Sequence, residues 1–375
     1  MSRFSRIERY SHAARDTARR LRDGVAGESP VAVALVTVMS LSLLAGLVGF
    51  LLVSSLTAVP LAVAVVAAAI GWLRYQELTA KVLAGTMTVS TLLILVLIAG
   101  FILRESIPVL QYESMTVLGV EVPGVRMFVQ TRWDAVSDPI RYSMVPLIHG
   151  TLLVTLISTA VAAPLGVAAA LFLSEIAPRP VREVVKPGVE ILAGIPSIVY
   201  GFIGFTILNP WAVEQFGLNG GGTYLFVGMV VGLMALPTVV SVAEDALSSV
   251  PESMKSGSLA MGTTDWQTMV SITIPAAFSG VSAAVLLGVG RAIGETMAAT
   301  VMLANTPRLT EPLVNVFYGQ ATLTSLIASS YGSARGNQLS ALFAAGAILF
   351  ITVLALSIGS QYIEARMRRK LGGEV

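Results

Sequence analysis

Arg291 and Glu295 are the residues of this 375-residue sequence whose types and spacing are best suited to chemistry on a ligand. They stand four apart in ITIPAAFSGVSAAVLLGVGRAIGETMAATVML, which begins at Ile272 and carries no other charge. In a helix, residues four apart share one face, about a turn from each other. A guanidinium grips an oxyanion through two parallel charge-assisted hydrogen bonds. A carboxylate beside it would hold that fork in place or, when protonated, donate a hydrogen bond to the anion. A buried structural ion pair, or an arginine reaching back to an interface, would use the same two residues. Counted from Ile272 at the helical rise, Arg291 lies about 28 Å along, toward the outer half of a span.

The elements that must position this pair are dictated by composition. Hydrophobic residues make up 55% of the chain and charged residues only 12%, about half the charge a soluble domain carries. That excludes a disordered chain, a nucleic-acid binder and a soluble enzyme. With no cysteine, thiol chemistry, disulfides and a Cys-ligated metal are excluded as well, and two histidines make a poor basis for a His-ligated metal site. A crossing helix needs about 20 apolar residues, so the gaps between charges locate the spans. Two fit between Glu28 and Arg74, near 31–53 and 56–73, with a tight hairpin at Ser54-Ser55 and Pro60. Six more fall in the gaps 82–103, 142–174, 191–213, 215–243, 266–290 and 336–363. The charge-free stretch between Glu311 and Arg335 is rich in Ser, Thr, Asn, Gln and Gly, and reads as an external loop with room for a short interfacial helix. Eight spans place 17 of the 24 Lys and Arg on one set of loops and six on the other, with Arg291 inside a span. Excess positive charge marks the cytoplasmic side, so both termini are expected there in a multi-pass protein of the cell membrane. The basic segments 1–30 and 361–375 read as cytoplasmic tails.

The segment 244–271, EDALSSVPESMKSGSLAMGTTDWQTMVS, is the longest cytoplasmic loop between spans. Pro251 can open a helix, Gly262 can cap it in the left-handed conformation, and a second short helical stretch starts at Thr264. Two short helices across the membrane face would offer a compact shape to a cytoplasmic partner. Proline and glycine also interrupt spans, at Pro164-Leu165-Gly166, Gly194-Ile195-Pro196, Gly201, Gly204 and Pro237. Such residues are tolerated in membranes where neighbours or water satisfy the freed backbone groups, and broken helices are common in transporters. The chain has no G-x-x-x-x-G-K-[ST] loop and no nucleophile–base pattern. It is expected to need no cofactor and to draw energy from another chain.

Gly262, nine residues, Ile272, one residue, Ile274 and Pro275 resemble half of the signature loop of ABC-importer permeases, with Ser256-Gly257-Ser258 where that family has Glu-Ala-Ala. GVGRAIGETMAAT resembles the shared core of phosphate ABC-transporter permeases, and its continuation into Met297-Ala298 favours the PstC-type subunit. LAGIPSIVYGFIGF, HGTLLVTLISTAVAAPLGVAAALFLSE and TLTSLIASSYG agree, so the resemblance covers roughly 145–365. It implies an all-α polytopic membrane protein with a six-helix permease domain over 83–360, and the two extra N-terminal transmembrane helices at 31–73 depart from that family's usual pattern. It implies ATPase subunits docking on 244–271, a second homologous PstA-like permease and an external phosphate-binding protein. It also implies that Arg291 and Glu295 lie on the phosphate path. Another oxyanion, sulfate or molybdate, is the nearest alternative cargo; an ATP-independent carrier would leave the 244–271 loop unexplained.

Overall fold

The computed structural model describes residues 29–52, 55–218 and 222–370; most of the N-terminal basic segment, Ser54 and the last five residues lie outside them. Among the described residues, seven helices are long and apolar enough to cross a membrane, and a bent pair makes an eighth when counted as one span. The expected all-α multi-pass architecture is therefore the one observed. The chain divides into two compact units, residues 1–100 and 101–375.

In the first unit, α1 (Pro30–Leu51) starts at Ser29, whose hydroxyl accepts the Ala32 N–H and caps the helix. A single 3₁₀ turn, Ser55–Thr57, leads into α2 (Ala58–Arg74), with Pro60 in its first turn. The third helix, α3 (Gln76–Tyr112), begins in this unit. Ala32, Val36 and Leu78 form a small buried cluster, and the Ser40 and Thr86 hydroxyls meet at 3.0 Å. At 37 residues, α3 is about 55 Å long, well beyond a hydrocarbon core of about 30 Å. It therefore does not stop at Arg104, where the charge-free stretch ends.

The second unit is built around α8 (Tyr224–Ser248), which packs on α4 (Val145–Leu171) and α11 (Ile274–Ile293). Small residues let these helices approach, with Gly228 against Ile157, Gly232 against Val161, and Gly166 and Gly288 both against Val239. α4 runs into a π turn, Phe172–Ile176. The span expected as one helix across 191–213 is instead broken. Its parts are α5 (Arg179–Gly194), α6 (Ser197–Ile203), a π turn at Gly204–Leu208 and α7 (Asn209–Phe216), with an 87° bend between the arms. The bend falls at Ile195-Pro196, because proline forces the residue before it out of the helical region; Ile195 has φ −70° and ψ 126°.

After α8 come α9 (Glu252–Ala260), α10 (Asp265–Thr268), the π turn Met269–Thr273, α11 and α12 (Met297–Met302). Two helices remain, α13 (Leu323–Ser330) and α14 (Asn337–Lys370). α13 lies in the stretch expected as an external loop with room for a short helix; its first half is buried, while Ala328 and Ser329 are exposed. Thr322 and Ser325 close a capping box, and Leu323, Thr324, Ser325 and Leu326 are all inaccessible.

Residues 113–144 form a folded cap at the same end of the unit. β1 (Met115–Val117) and β2 (Val120–Val122) make a hairpin whose turn residues Leu118 and Gly119 both have positive φ, as a two-residue turn of this hand requires. Glu113 is fully buried and accepts the Tyr142 N–H at 2.9 Å. The Asp134 carboxyl is pushed down to about 2, first by the backbone N–H groups of Ser137 and Val136 and least by Arg132. Residues 132–133 pair with 307–308, joining the cap to the strand-like segment before α13.

Candidate functional site

Arg291 occupies the last turn of α11, where a cation is favoured by the exposed carbonyls of the helix end. Its depth follows from packing. Gly280 lies against Ala246 and Gly288 against Val239, so α11 runs antiparallel to α8 and Arg291 sits about 18 Å from either end of α8. That is the middle of the bundle and not its outer half. The residues from Ile272 to about Ser279 extend beyond the end of α8, so a count starting at Ile272 overstates the depth.

The second sequence-derived expectation is also corrected. Arg291 and Glu295 do not share a helical face, because α11 ends at Ile293 and the chain turns at Gly294. Glu295 faces the other way along the chain, and its Oε1 accepts the Ala298 N–H at 3.0 Å, capping α12. Among the described residues the Arg291 side chain has no hydrogen bond or ion pair. It is exposed in this chain and lines a cleft of about 530 Å³ between α11 and α14, together with Leu287, Gly290, Val353, Leu356 and Gln361.

Tyr200 was not singled out by sequence reasoning. Its hydroxyl donates to the Leu192 carbonyl at 3.1 Å, bridging the bend of the broken span. The Arg291 charge lies close enough to act on it electrostatically. Gly201, next in line, has no room for a side chain, since a Cβ there would meet the Ala298 Cα at 2.8 Å. Two helix breaks, at 195–196 and 294–296, therefore meet beside one guanidinium.

The 244–271 segment has the two short helices expected. Pro251 precedes α9, and Gly262 follows it with φ +86°. Thr264 and Gln267 form a capping box at α10. The hydroxyls of Ser258, Thr263 and Thr268 bond to one another at 2.9–3.1 Å and lock α9 to α10. Ser256 is exposed and donates to the Glu252 carbonyl, and Gly257 faces open space. Ile272 is half-buried in the π turn, and Pro275 is half-buried in the first turn of α11. Met254, Leu259, Met261, Trp266 and Val270 are all exposed, Met261 by 86% and Trp266 by 67%. Two ion pairs flank the segment, Lys255–Glu175 and Lys186–Glu244, each at 2.8 Å. Their partners lie about sixty and eighty residues apart, so no local spacing in the sequence announces them.

Arg291 is thus a charge on a membrane-spanning helix that lies beside interrupted helices, two features that recur together in transport proteins. The chain belongs to the family described as binding-protein-dependent transport system inner membrane component, whose model matches residues 162–369. It is a permease component of an ABC-type importer, a transport subunit and not an enzyme. It is 35% identical over 290 residues to the probable ABC transporter permease protein YqgH of Bacillus subtilis, covering 76% of this chain and 91% of that protein. It is 33% identical over 273 residues to the phosphate transport system permease protein PstC of Xylella fastidiosa, covering 68% and 82%. Among solved structures, the fold resembles a bacterial alginate ABC transporter (TM-score 0.52, 15% identity, 80% and 99% covered). It also resembles the MetNI methionine ABC transporter (TM-score 0.50, 20% identity, 62% and 99% covered).

Proposed function

We propose that this chain is the PstC-type permease of an ATP-driven phosphate importer and that Arg291 contacts the anion as it crosses. The observation that carries the reading is the Arg291 guanidinium, unpaired among the described residues, at mid-depth in the bundle beside two helix breaks. A cation at membrane depth without a counter-ion is costly; a passing oxyanion supplies one and takes two parallel hydrogen bonds from the guanidinium fork. The phosphate permeases among its relatives support phosphate over sulfate or molybdate. A second, PstA-like permease completes the pathway along the α11–α14 cleft. ATPase subunits dock on α9 and α10, where Met261 and Trp266 offer exposed apolar side chains. An external phosphate-binding protein delivers cargo to the cap at 113–144 and the segment before α13. This arrangement has both termini in the cytoplasm, an N-terminal hairpin at 31–73 and the permease domain at 83–360.

The test is labelled-phosphate uptake by the complete transporter reconstituted in vesicles. Arg291→Ala is expected to abolish uptake with the complex still assembled, and Arg291→Lys to weaken it, because an ammonium keeps the charge but loses the fork. Near-normal uptake by the alanine variant removes Arg291 from the path. Uptake of sulfate or molybdate in preference to phosphate assigns the cargo to another oxyanion.

A further inference from the structure

The coupling segment must act on the helix breaks some 20 Å away along α8, and the side chains that connect them converge on one place. α9 and α10 form a single body through the Ser258–Thr263–Thr268 hydroxyl triangle. Among the described residues, one ion pair leaves that body, from Lys255 to Glu175 in the π turn that ends α4. Both side chains are only about one-seventh exposed, at 14% and 15%. The same π turn holds the lower arm of the broken span. Arg182 of α5 donates from Nε to the Leu173 carbonyl at 2.7 Å and from a terminal nitrogen to the Ser174 carbonyl at 2.9 Å. Lys186, one turn further along α5, pairs with Glu244 near the end of α8. At the far end of α5 the Leu192 carbonyl is tied to Tyr200, beside Arg291.

We propose that the π turn Phe172–Ile176 is the junction through which movement of α9 reaches the break at 195–196. Glu175 grips α9 through Lys255, and the Leu173 and Ser174 carbonyls grip α5 through Arg182. A π turn suits the role, because its looser hydrogen bonding lets a helix end reorient and leaves carbonyls free to be held from outside. Glu175 and Lys255 are positioning residues here, since neither touches the cargo. Neutralising either one leaves the other charge poorly compensated and detaches α9 from the bundle. The inference rests on 244–271 being the ATPase docking segment; it does not depend on which anion is carried.

A cargo-independent measurement tests it. The chain has no cysteine, so spin labels at Ile198→Cys and Leu233→Cys report the position of α6 relative to α8 in the complete assembled transporter. With the unaltered junction, ATP is expected to shift the distance between the labels. Glu175→Gln or Lys255→Met is expected to abolish that shift while the ATPase subunits stay bound, and to lower transport per ATP about tenfold, the effect of losing one element of a coupling network. The exchanged pair, Glu175→Lys with Lys255→Glu, is expected to restore both. An unchanged shift in the single variants, or an exchanged pair that assembles without regaining it, overturns the proposal. If the single variants fail to assemble, the exchanged pair alone decides. If ATP produces no shift even with the junction intact, the docking role of 244–271 fails, and the junction falls with it.

Discussion

Glu295 separates two roles that look identical in the sequence. A carboxylate four residues after an arginine can hold the guanidinium, but the turn at Gly294 directs this one to the Ala298 N–H instead. There it supplies the acceptor that the start of α12 needs, a contribution of about 1 kcal/mol for a typical cap. Glutamine retains an acceptor oxygen of the same reach, and alanine does not. Glu295→Gln is therefore expected to transport phosphate nearly as well as the parent, and Glu295→Ala to lose transport as α12 frays beside Gly201. Uptake measured on both variants decides the matter. Equal loss in both would mean that the charge, and not the cap, is what the pathway uses.

Helix number and most boundaries were legible in the gaps between charges, because a charge inside hydrocarbon is expensive wherever it falls. Gly262 was legible too, since its place after a helical run requires the left-handed backbone that it adopts. Breaks were not legible by the same rule. The arms around Ile195-Pro196 are both uncharged at the bend, so a charge count runs straight through an 87° turn. α11 likewise stops between Arg291 and Glu295 without any change in apolar character. α13 was hidden for the opposite reason. Its Ser and Thr side chains bond one another and nearby backbone, as where Thr324 donates to the Glu295 carbonyl at 2.7 Å, so a polar sequence is buried. Two glycines give a paired test at this scale. Gly201→Ala would force its Cβ onto the α12 backbone and is expected to cut transport sharply in an assembled complex. Gly257→Ala meets nothing within 4 Å; it should stabilise α9 by about 1 kcal/mol and leave transport intact. Equal effects of the two changes would show that the α6–α12 contact is not what sets the geometry of the path.

At the scale of the whole molecule, orientation rests on basic residues that alternate between the two sets of loops. Counted over eight spans, two terminal tails and three loops carry 17 of them on one side, against six on the other, and this bias is read over every short segment and not only the first. α1 and α2 form a pair joined by a short turn, inside a unit distinct from residues 101–375. The matched family model begins only at residue 162, and Arg291, the cleft and the coupling segment all belong to the second unit. Deleting residues 30–74 removes two crossings, so the parity of the remaining spans and the side of the C-terminus are preserved. The α3 residues uncovered by the deletion are Leu78 and Val82, which pack with Ala32 and Val36, and Thr86, which meets Ser40; lipid accommodates the first two without the penalty water would impose, and the Thr86 hydroxyl keeps its bond to the Val82 carbonyl. The shortened chain is therefore expected to insert with its C-terminus on the same side, to assemble and to import phosphate at close to the parental rate. Protease access to the C-terminal segment and labelled-phosphate uptake check both halves of this expectation. A C-terminus on the opposite side would refute the even count of spans, whereas correct insertion with lost uptake would give the first hairpin a part in transport that no residue within it announces.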